Sequence, residues 1–175
     1  GTFDVMPFFW VPEQNAAERT LRDRVDYLGW IRDGHIRATD GNVTDYDVIR
    51  RDIVQLSQQY NIRQIAIDRW NATQLATQLQ GDGIDVVGFG QGYGSMSAPA
   101  KQLEAMVVSG KLLHNNPVLD WQAGNVAIQQ DHAGNIKPSK QKSTERIDGI
   151  VSLVMAMGIM ATATTKPELN WDIIE

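Results

Sequence analysis

The spacing of apolar residues changes along the chain, and each change predicts a new element. Between residues 45 and 60 the apolar positions recur every three to four residues, which is typical of a helix with one buried face. The next segment, 62–68, is a mostly apolar run that predicts a buried strand. A helix over 71–80, a second buried strand over 84–89 and a helix from 97 or 98 to 109 follow. This alternation predicts parallel strands joined by a helical crossover.

Polar and small residues mark the ends of these elements. Asn71 is a suitable N-cap for the helix that follows it. The sequence Gly81-Asp82-Gly83 ends that helix, and Gly110 is a natural residue to follow the next one. The boundaries therefore agree with the periodicity.

The flanking segments are less regular. Residues 4–11 predict a strand stopped by Pro12, residues 13–25 a partial helix, and residues 35–39 a short strand after the turn at Asp33-Gly34. Further along, the pattern predicts three elements: a short helix over 117–124, a hairpin of 126–130 and 135–138, and a long helix over 144–163 with its packing side at Ile147, Ile150, Val151, Val154 and Gly158. We expect one domain over 1–163 and a polar tail over 164–175.

Composition narrows the possible chemistry. The 175 residues suffice for one domain with its own core, and the absence of cysteine excludes disulfides, zinc–thiolate sites and cysteine nucleophiles. The three histidines, at 35, 114 and 132, lack ligand-like spacing. The apolar stretch 149–163 is shorter than a membrane span, and the N-terminus reads as a strand rather than a signal peptide. We therefore expect a cytoplasmic protein with no membrane partner.

Charge is distributed unevenly. The net charge is −5, which does not by itself indicate a nucleic-acid-binding protein. The segment 132–147, however, sets one acid, Glu145, against four bases: Lys137, Lys140, Lys142 and Arg146. Such a stretch can hold a phosphate backbone, although a solvated lysine-rich loop explains it as well.

Two aspartates carry the strongest chemical signal. Asp68 ends the first predicted buried strand, and functional groups of parallel sheets gather beyond the carboxyl ends of the strands. Asp148 lies near the start of the long helix. Carboxylate oxygens are the ligands that Mg²⁺ and Mn²⁺ prefer, so the pair predicts a metal-dependent phosphodiester-cleaving enzyme. The alternatives are that Asp68 caps the following helix and that Asp148 is an acid favoured by the helix dipole.

A glycine-rich segment over 88–95 follows a strand and precedes a helix, as in dinucleotide-binding proteins. Its spacing fails, because the sixth position is Tyr93 counted from Gly88 and Ser95 counted from Gly90. No phosphate-binding G-x-x-x-x-G-K-[ST] motif is present either. We expect a mobile loop beside the active cleft rather than a nucleotide site.

Seven segments in this order resemble the nuclease domain of tailed-phage terminase large subunits, a likeness that extends from about residue 5 to 160. Their order and spacing carry the resemblance more than any single motif. They are Pro7-Phe8-Phe9-Trp10-Val11-Pro12-Glu13, Ile67-Asp68-Arg69-Trp70, Gly90-Gln91-Gly92, the helix through Pro99 and Lys101, Asn116-Pro117-Val118, Gly124-Asn125-Val126 and Arg146-Ile147-Asp148-Gly149-Ile150-Val151-Ser152-Leu153.

The resemblance implies an α/β fold with a ribonuclease H-like mixed sheet flanked by helices, and an enzyme that cuts concatemeric viral DNA. The family uses three acidic clusters, of which Asp68 matches the second and Asp148 the third. The first lies on an upstream strand, in a segment resembling Gly-x-Asp-x-Ser that this sequence does not contain, and Asp4 is not placed to replace it. We therefore expect the first strands of the sheet, and the ATPase domain that precedes the nuclease in this family, to lie outside the sequence.

The resemblance also suggests a mechanism. Two Mg²⁺ or Mn²⁺ ions about 3.5–4 Å apart would be held by Asp68, Asp148 and the missing aspartate, and no protein base would be needed. The four bases of 132–147 would hold DNA phosphates without reading sequence, and Arg69 and Asn71 would contact the backbone near the scissile bond. The implied partners are double-stranded DNA and, in the whole protein, an ATPase domain, a small terminase subunit and a portal, in the cytoplasm of the bacterial host.

Two other classes of function remain open. The chain is alternatively a non-catalytic module that docks on DNA or portal protein. A third reading is a small-molecule α/β enzyme that uses the glycine segment. Metal titration distinguishes the first from a nuclease, and protection of the glycine segment by nucleotide would favour the last.

Overall fold

The computed structural model describes residues 1–68 and 73–163, in which short strands alternate with helices. The helices are α1 (Glu13–Asp23), α2 (Tyr27–Arg32), α3 (Tyr46–Gln59), α4 (Thr73–Gly81), α5 (Tyr93–Val108), α6 (Pro117–Asn125) and α7 (Asp148–Ala163). The strands are β1 (Phe3–Asp4), β2 (Trp10–Pro12), β3 (Arg37–Thr39), β4 (Ile65–Asp68), β5 (Val86–Phe89), β6 (Leu112–Leu113), β7 (Ile128–Gln130) and β8 (Ile136–Pro138). Within these residues, no helix combines the length and apolarity that crossing a membrane requires.

The described strands pair two by two. Strands β1 and β6, β2 and β3, and β4 and β5 pair in parallel, and β7 and β8 form an antiparallel hairpin. The predicted α/β class, the parallel β4–β5 pair with α4 as its crossover, and the hairpin are therefore confirmed. Where one mixed sheet was expected, these short pairs are instead joined by packing against helices.

The largest helix pair supplies the main core. Helices α5 and α7 pack side by side, with Met96 and Leu103 against Val151 and Val154. Ala66 of β4 and Phe89 of β5 pack on the same cluster. Burial of these side chains at roughly 25 cal/mol per Å² fixes α7 against the strand pair that ends at Asp68.

Two smaller cores complete the packing. Leu75 and Leu79 of α4 pack with Ile84 and Val86. A third cluster joins the N-terminal elements to α6 through Val11, Ala16, Tyr27, Ile36 and Val118.

The N-terminal segment corrects one prediction. Residues 4–11 do not form one strand; β1 and β2 are separate and pair with different partners, β6 and β3. Pro12 is the last residue of β2, paired with Thr39, and α1 follows directly, so the strand does stop at this proline. Proline is tolerated here because β2 belongs to a two-stranded sheet, where one side of the strand needs no partner.

Helix α5 begins at Tyr93, four residues before the predicted start. Met96 donates its backbone N–H to Gly92 at 3.0 Å and buries its side chain in the main core. The packing of Met96 therefore draws the end of the glycine segment into the first turn, and the expected loop through Ser95 is wrong over its last residues. Gly110 has a φ of +63°, as its predicted place after the helix requires.

Helix α7 begins later than predicted, at Asp148 instead of residue 144. The preceding loop is held elsewhere: Ser139 donates its backbone N–H to Ala127 at 2.9 Å, and Thr144 donates to Asn125 at 3.3 Å. These bonds tie residues 139–144 to α6 and β7, so they are not free to form a helical turn. Asp148 consequently becomes the first residue of the helix.

Candidate functional site

Asp68 lies at the carboxyl end of β4, where the sequence predicted it. It stands opposite Phe89 of the parallel neighbour β5 and is half-buried. It lines a cleft of about 210 Å³ together with Thr73, Ala76 and Gln80 of α4. The open end of a parallel strand pair thus presents this carboxylate beside the crossover helix.

Asp148 lies where two other clefts meet. The larger, of about 450 Å³, runs along the apolar segment Val5 to Trp10 and one side of α7. The smaller, of about 120 Å³, contains two arginines, Arg19 and Arg146. The side chain of Asp148 is 55% exposed, so it is accessible to a ligand from solvent.

The backbone beside Asp148 is fixed although its side chain is exposed. Gly149 donates its N–H to the side-chain Oε1 of Gln122 at 2.5 Å, and Gln122 is buried in α6. A β-carbon at position 149 would lie 2.9 Å from both this oxygen and the ring of Phe9. The glycine therefore allows α6 and residues 5–9 to hold the start of α7 in place.

A lysine side chain forms an ion pair with Asp148. The Nζ of Lys140 donates to Oδ1 of Asp148 at 2.6 Å, and the two side chains are 56% and 55% exposed. Lys140 comes from the loop that joins β8 to α7. Its ammonium shows that a cation is accommodated at this carboxylate oxygen.

Asp68 and Asp148 are of a residue type that binds hard cations, but the described residues do not form a complete metal site. Asp68 and Asp148 offer carboxylate oxygens, the preferred ligands of Mg²⁺ and Mn²⁺. Within residues 1–68 and 73–163, no group of three or more acidic, histidine or cysteine side chains is arranged to hold a metal ion. Helix α7 packs against β4, yet Asp68 and Asp148 line different clefts. Among the described residues, the two aspartates therefore do not form a metal site by themselves.

The predicted DNA-binding residues lie in different surroundings. Lys137 of β8 donates to the backbone oxygen of Gln91 at 3.3 Å, with its Nζ 5.0 Å from the centre of the Tyr93 ring. Arg146 is exposed and lines the same small cleft as Asp148, and Lys142 is exposed on the turn after Ser139. Arg69 and Asn71 lie outside the described residues.

A polar cleft that sequence reasoning missed adjoins this group. It measures about 270 Å³, and the amide, hydroxyl and ammonium groups on its walls come from Gln91, Gln129, Lys137, Ser139, Lys140 and Gln141. The glutamines come from three separate segments, so no local motif in the sequence could have grouped them. Two of the predicted lysines, Lys137 and Lys140, line this cleft.

A second ionic cluster, also missed by sequence reasoning, joins Asp52 to Trp10, which lines the two clefts beside Asp148. Trp10 Nε1 donates to Oδ2 of the buried Asp52 at 2.7 Å, and Arg37 Nη1 lies 2.7 Å from the same oxygen. Burial alone would raise the pKa of Asp52, but the hydrogen bonds from Trp10 and Arg37 outweigh it and lower that pKa. The cluster ties α3 to β2 and β3.

Comparisons with known proteins point to one family. A model of the terminase large subunit endonuclease domain matches residues 3–164. The terminase large subunit of Enterobacteria phage HK97 is 37% identical in an alignment of 175 positions that covers 98% of this chain and 35% of that protein. The chain thus spans about a third of that relative's length.

Solved structures agree with this match. The crystal structure of the HK97 bacteriophage large terminase superposes with a TM-score of 0.85 at 37% identity, covering 91% of this chain and 34% of the other. The large terminase nuclease from thermophilic phage G20c with bound magnesium gives a TM-score of 0.50 at 17% identity, over 66% of this chain and 62% of that one. The second likeness concerns the fold, which is ribonuclease H-like as the sequence predicted.

Proposed function

The chain belongs to the family of terminase large subunit endonuclease domains, and on that premise we propose that it is a metal-dependent endonuclease that cuts concatemeric viral DNA during genome packaging. The observation that carries the proposal is Asp148: an exposed carboxylate on a fixed backbone, beside a small cleft that contains Arg19 and Arg146. Among known relatives, the G20c nuclease was crystallised with magnesium, which supports a metal-dependent reaction.

Asp68 and Asp148 would hold the metal, and the preferred ions are Mg²⁺ or Mn²⁺, in our proposal two of them. Such ions, when bound, supply an activated water and stabilise the leaving oxygen. In this proposal Lys137, Lys140, Lys142 and Arg146 contact DNA phosphates; Lys137 and Lys140 line the polar cleft, Arg146 lines the small cleft, and Lys142 is exposed on the same loop. Arg69 and Asn71, which follow Asp68 in the sequence, are proposed to contact the backbone near the scissile bond. Phosphate contacts position DNA but carry no sequence information, so we expect weak sequence selectivity.

The whole protein sets the biological context. We propose double-stranded viral DNA as the substrate, an ATPase domain in the same polypeptide, and a small terminase subunit and portal as partners, all in the cytoplasm of the bacterial host. The length of the HK97 relative, about three times that of this chain, leaves room for such a domain.

The test is nicking of supercoiled plasmid DNA with Mn²⁺. Asp68→Ala and Asp148→Ala are expected to remove the activity, because each deletes a carboxylate ligand. Lys111→Gln is the matched control, since it removes one exposed charge in a different part of the chain. If both aspartate variants nick DNA at the rate of the unaltered protein, the assignment of the site is wrong.

A non-catalytic module that docks on DNA or portal protein is the second candidate. It is favoured by one observation: the part of the chain described in the structure holds no three converging metal ligands. Metal titration against this chain and against a longer version extended upstream separates the two. A nuclease is expected to bind metal and nick DNA at least in the longer version, whereas a docking module binds DNA without cutting in either.

A further inference from the structure

We propose that Lys140 links cation binding to DNA binding: it neutralises Asp148 when no divalent cation is present and is released into the polar cleft, to contact a DNA phosphate, when one binds. The proposal rests on the proposed function and adds a positioning role that neither the family match nor the fold assigns. It starts from the position of one side chain, which borders both Asp148 and the polar cleft.

The contact between Lys140 and Asp148 competes with a divalent cation for the same carboxylate. At 2.6 Å the ammonium occupies one lone-pair position of Oδ1, and its positive charge disfavours a second cation nearby. Exposed ion pairs of this kind contribute little to stability, and both side chains are more than half exposed. A divalent cation with further ligands can therefore displace the lysine at small cost.

The displaced ammonium has a second place to go. Lys140 lines the cleft formed with Lys137 and the side chains of Gln91, Gln129 and Gln141. Amide and ammonium donors are the groups that contact phosphate oxygens and sugars in protein–DNA complexes. Lys137 is held there by its bond to the Gln91 carbonyl, so the cleft already contains one fixed positive charge.

The loop that carries Lys140 is anchored on both sides, so only the side chain needs to move. Ser139 is bonded to Ala127 before it, and Ser143 Oγ donates to the Ser139 carbonyl at 2.7 Å after it. A lysine side chain has four rotatable bonds beyond Cα, which is sufficient for the ammonium to exchange partners around a fixed backbone. Cation and DNA binding would then favour each other, and by linkage each would raise the affinity for the other by the same factor.

Lys142 provides the matched control. It lies two residues away in the same basic loop and is exposed, but no contact joins its side chain to Asp148 among those described. Removing either charge has a similar effect on the general field of the loop. Only Lys140→Gln should abolish the exchange.

The first measurement is cation affinity without DNA, by titration of Mn²⁺. Lys140→Gln is expected to bind Mn²⁺ about two- to fivefold more tightly than the unaltered protein, the factor that corresponds to loss of an exposed ion pair. Lys142→Gln should change the affinity by less. Equal effects of the two substitutions would show a general charge effect and would overturn the proposal.

The second measurement is affinity for a short labelled DNA duplex with and without Ca²⁺, another oxygen-preferring cation. Without Ca²⁺, Lys140→Gln should weaken DNA binding no more than the general charge effect of Lys142→Gln does; with Ca²⁺ it should weaken binding further, and the salt dependence should lack about one phosphate contact. Lys142→Gln should bind more weakly in both conditions. If Lys140→Gln weakens DNA binding equally with and without Ca²⁺, the exchange does not occur.

The two failures are distinguishable. Asp148→Asn should remove the Mn²⁺ binding measured in the first titration. If it does not, the metal site proposed above is wrong, and the role proposed for Lys140 is wrong as well. If Asp148→Asn removes that binding but Lys140→Gln behaves like Lys142→Gln, only the role of Lys140 is overturned.

Discussion

Two aspartates accept a basic side chain at almost the same distance, yet their surroundings differ. Asp52 lies 2.7 Å from Arg37 and is 8% exposed, with a second donor in Trp10. Asp148 lies 2.6 Å from Lys140, and its side chain is 55% exposed. In the first case the carboxylate is enclosed by β2, β3 and α3; in the second it stands at the end of a helix between clefts.

The difference shows that contact distance alone does not tell a structural ion pair from a functional one. Separating Asp52 from Trp10 and Arg37 would leave a buried carboxylate without the donors that offset its desolvation, so the Asp52 cluster resists rearrangement. Asp148 and Lys140 both regain water when they separate. Burial and the number of hydrogen-bond partners, rather than charge or contact distance, make the Asp52–Arg37 pair permanent and the Asp148–Lys140 pair exchangeable.

The largest effect that we expect is the loss of stability when Asp52 is replaced. Asp52→Ala is expected to lower the free energy of unfolding by about 2 kcal/mol, because it removes a buried carboxylate that accepts from both Trp10 Nε1 and Arg37. The half-exposed Arg37 recovers part of its hydration, which limits the loss. Urea unfolding followed by tryptophan fluorescence measures it, and a change below about 0.5 kcal/mol would show that the cluster is no more structural than a surface pair.

Packing around the exposed aspartate comes next. Gly149→Ala is expected to destabilise by about 1 kcal/mol, since crowding against Phe9 and Gln122 outweighs the better helix propensity of alanine. It should also lower the rate of DNA nicking by shifting Asp148. Gly124→Ala, at a helical glycine with nothing within 4 Å of the added β-carbon, is the control. Equal stability of the two variants would mean that the start of α7 is not fixed as described.

The pH dependence of stability should separate the two carboxylates further. The pKa of Asp52 is lowered in the folded protein, so its contribution is present above the unfolded pKa of about 3.9 and is lost as pH falls through the folded value. The stability difference between the unaltered protein and Asp52→Asn is therefore expected to shrink on acidification below about pH 4. Thermal unfolding across a pH series measures this difference. If the difference grew as the pH fell, the pKa of Asp52 would not be lowered in the folded protein.

The smallest effect is expected at the exposed pair. Lys140→Ala and Asp148→Ala should each change the free energy of unfolding by no more than about 0.5 kcal/mol, because an exposed ion pair is screened by water and salt. The measurement is urea unfolding at low and high salt. If either substitution lowered the free energy of unfolding by nearly as much as Asp52→Ala, the Lys140–Asp148 pair would be a structural one. That result would count against the exchange of partners proposed for Lys140.

The spacing of apolar residues and the turn residues between them predicted most of the individual helices and strands. The helix before Tyr60, the strands around Ala66 and Val87 and the hairpin around Gly134 all appear as expected, and Asp68 and Asp148 occupy the element ends that were predicted for them. The apolar run of β4 packs on two clusters, with Ala66 on one and Ile65 and Ile67 on the other, as a parallel strand between two layers requires.

The missed features join residues that are distant in sequence. Trp10 and Asp52 are 42 positions apart, and Gln122 and Gly149 are 27 apart. Nothing in either neighbourhood marks the partner, because any buried polar side chain requires some partner without specifying which. The early start of α5 has the same origin: the burial of Met96 by α7 overrides the glycines that suggested a loop.

Gly158 has a consequence for how related sequences can diverge. A β-carbon there would lie 2.5 Å from the ring of Phe89, the residue opposite Asp68 in the strand pair. The distance between the helix that begins with Asp148 and the strands that end at Asp68 is thus set by a glycine facing an aromatic ring. Among relatives we expect these two positions to covary, with a larger residue at one accompanied by a smaller one at the other, so that the spacing of the two carboxylates is inherited even where the residues that determine it are not.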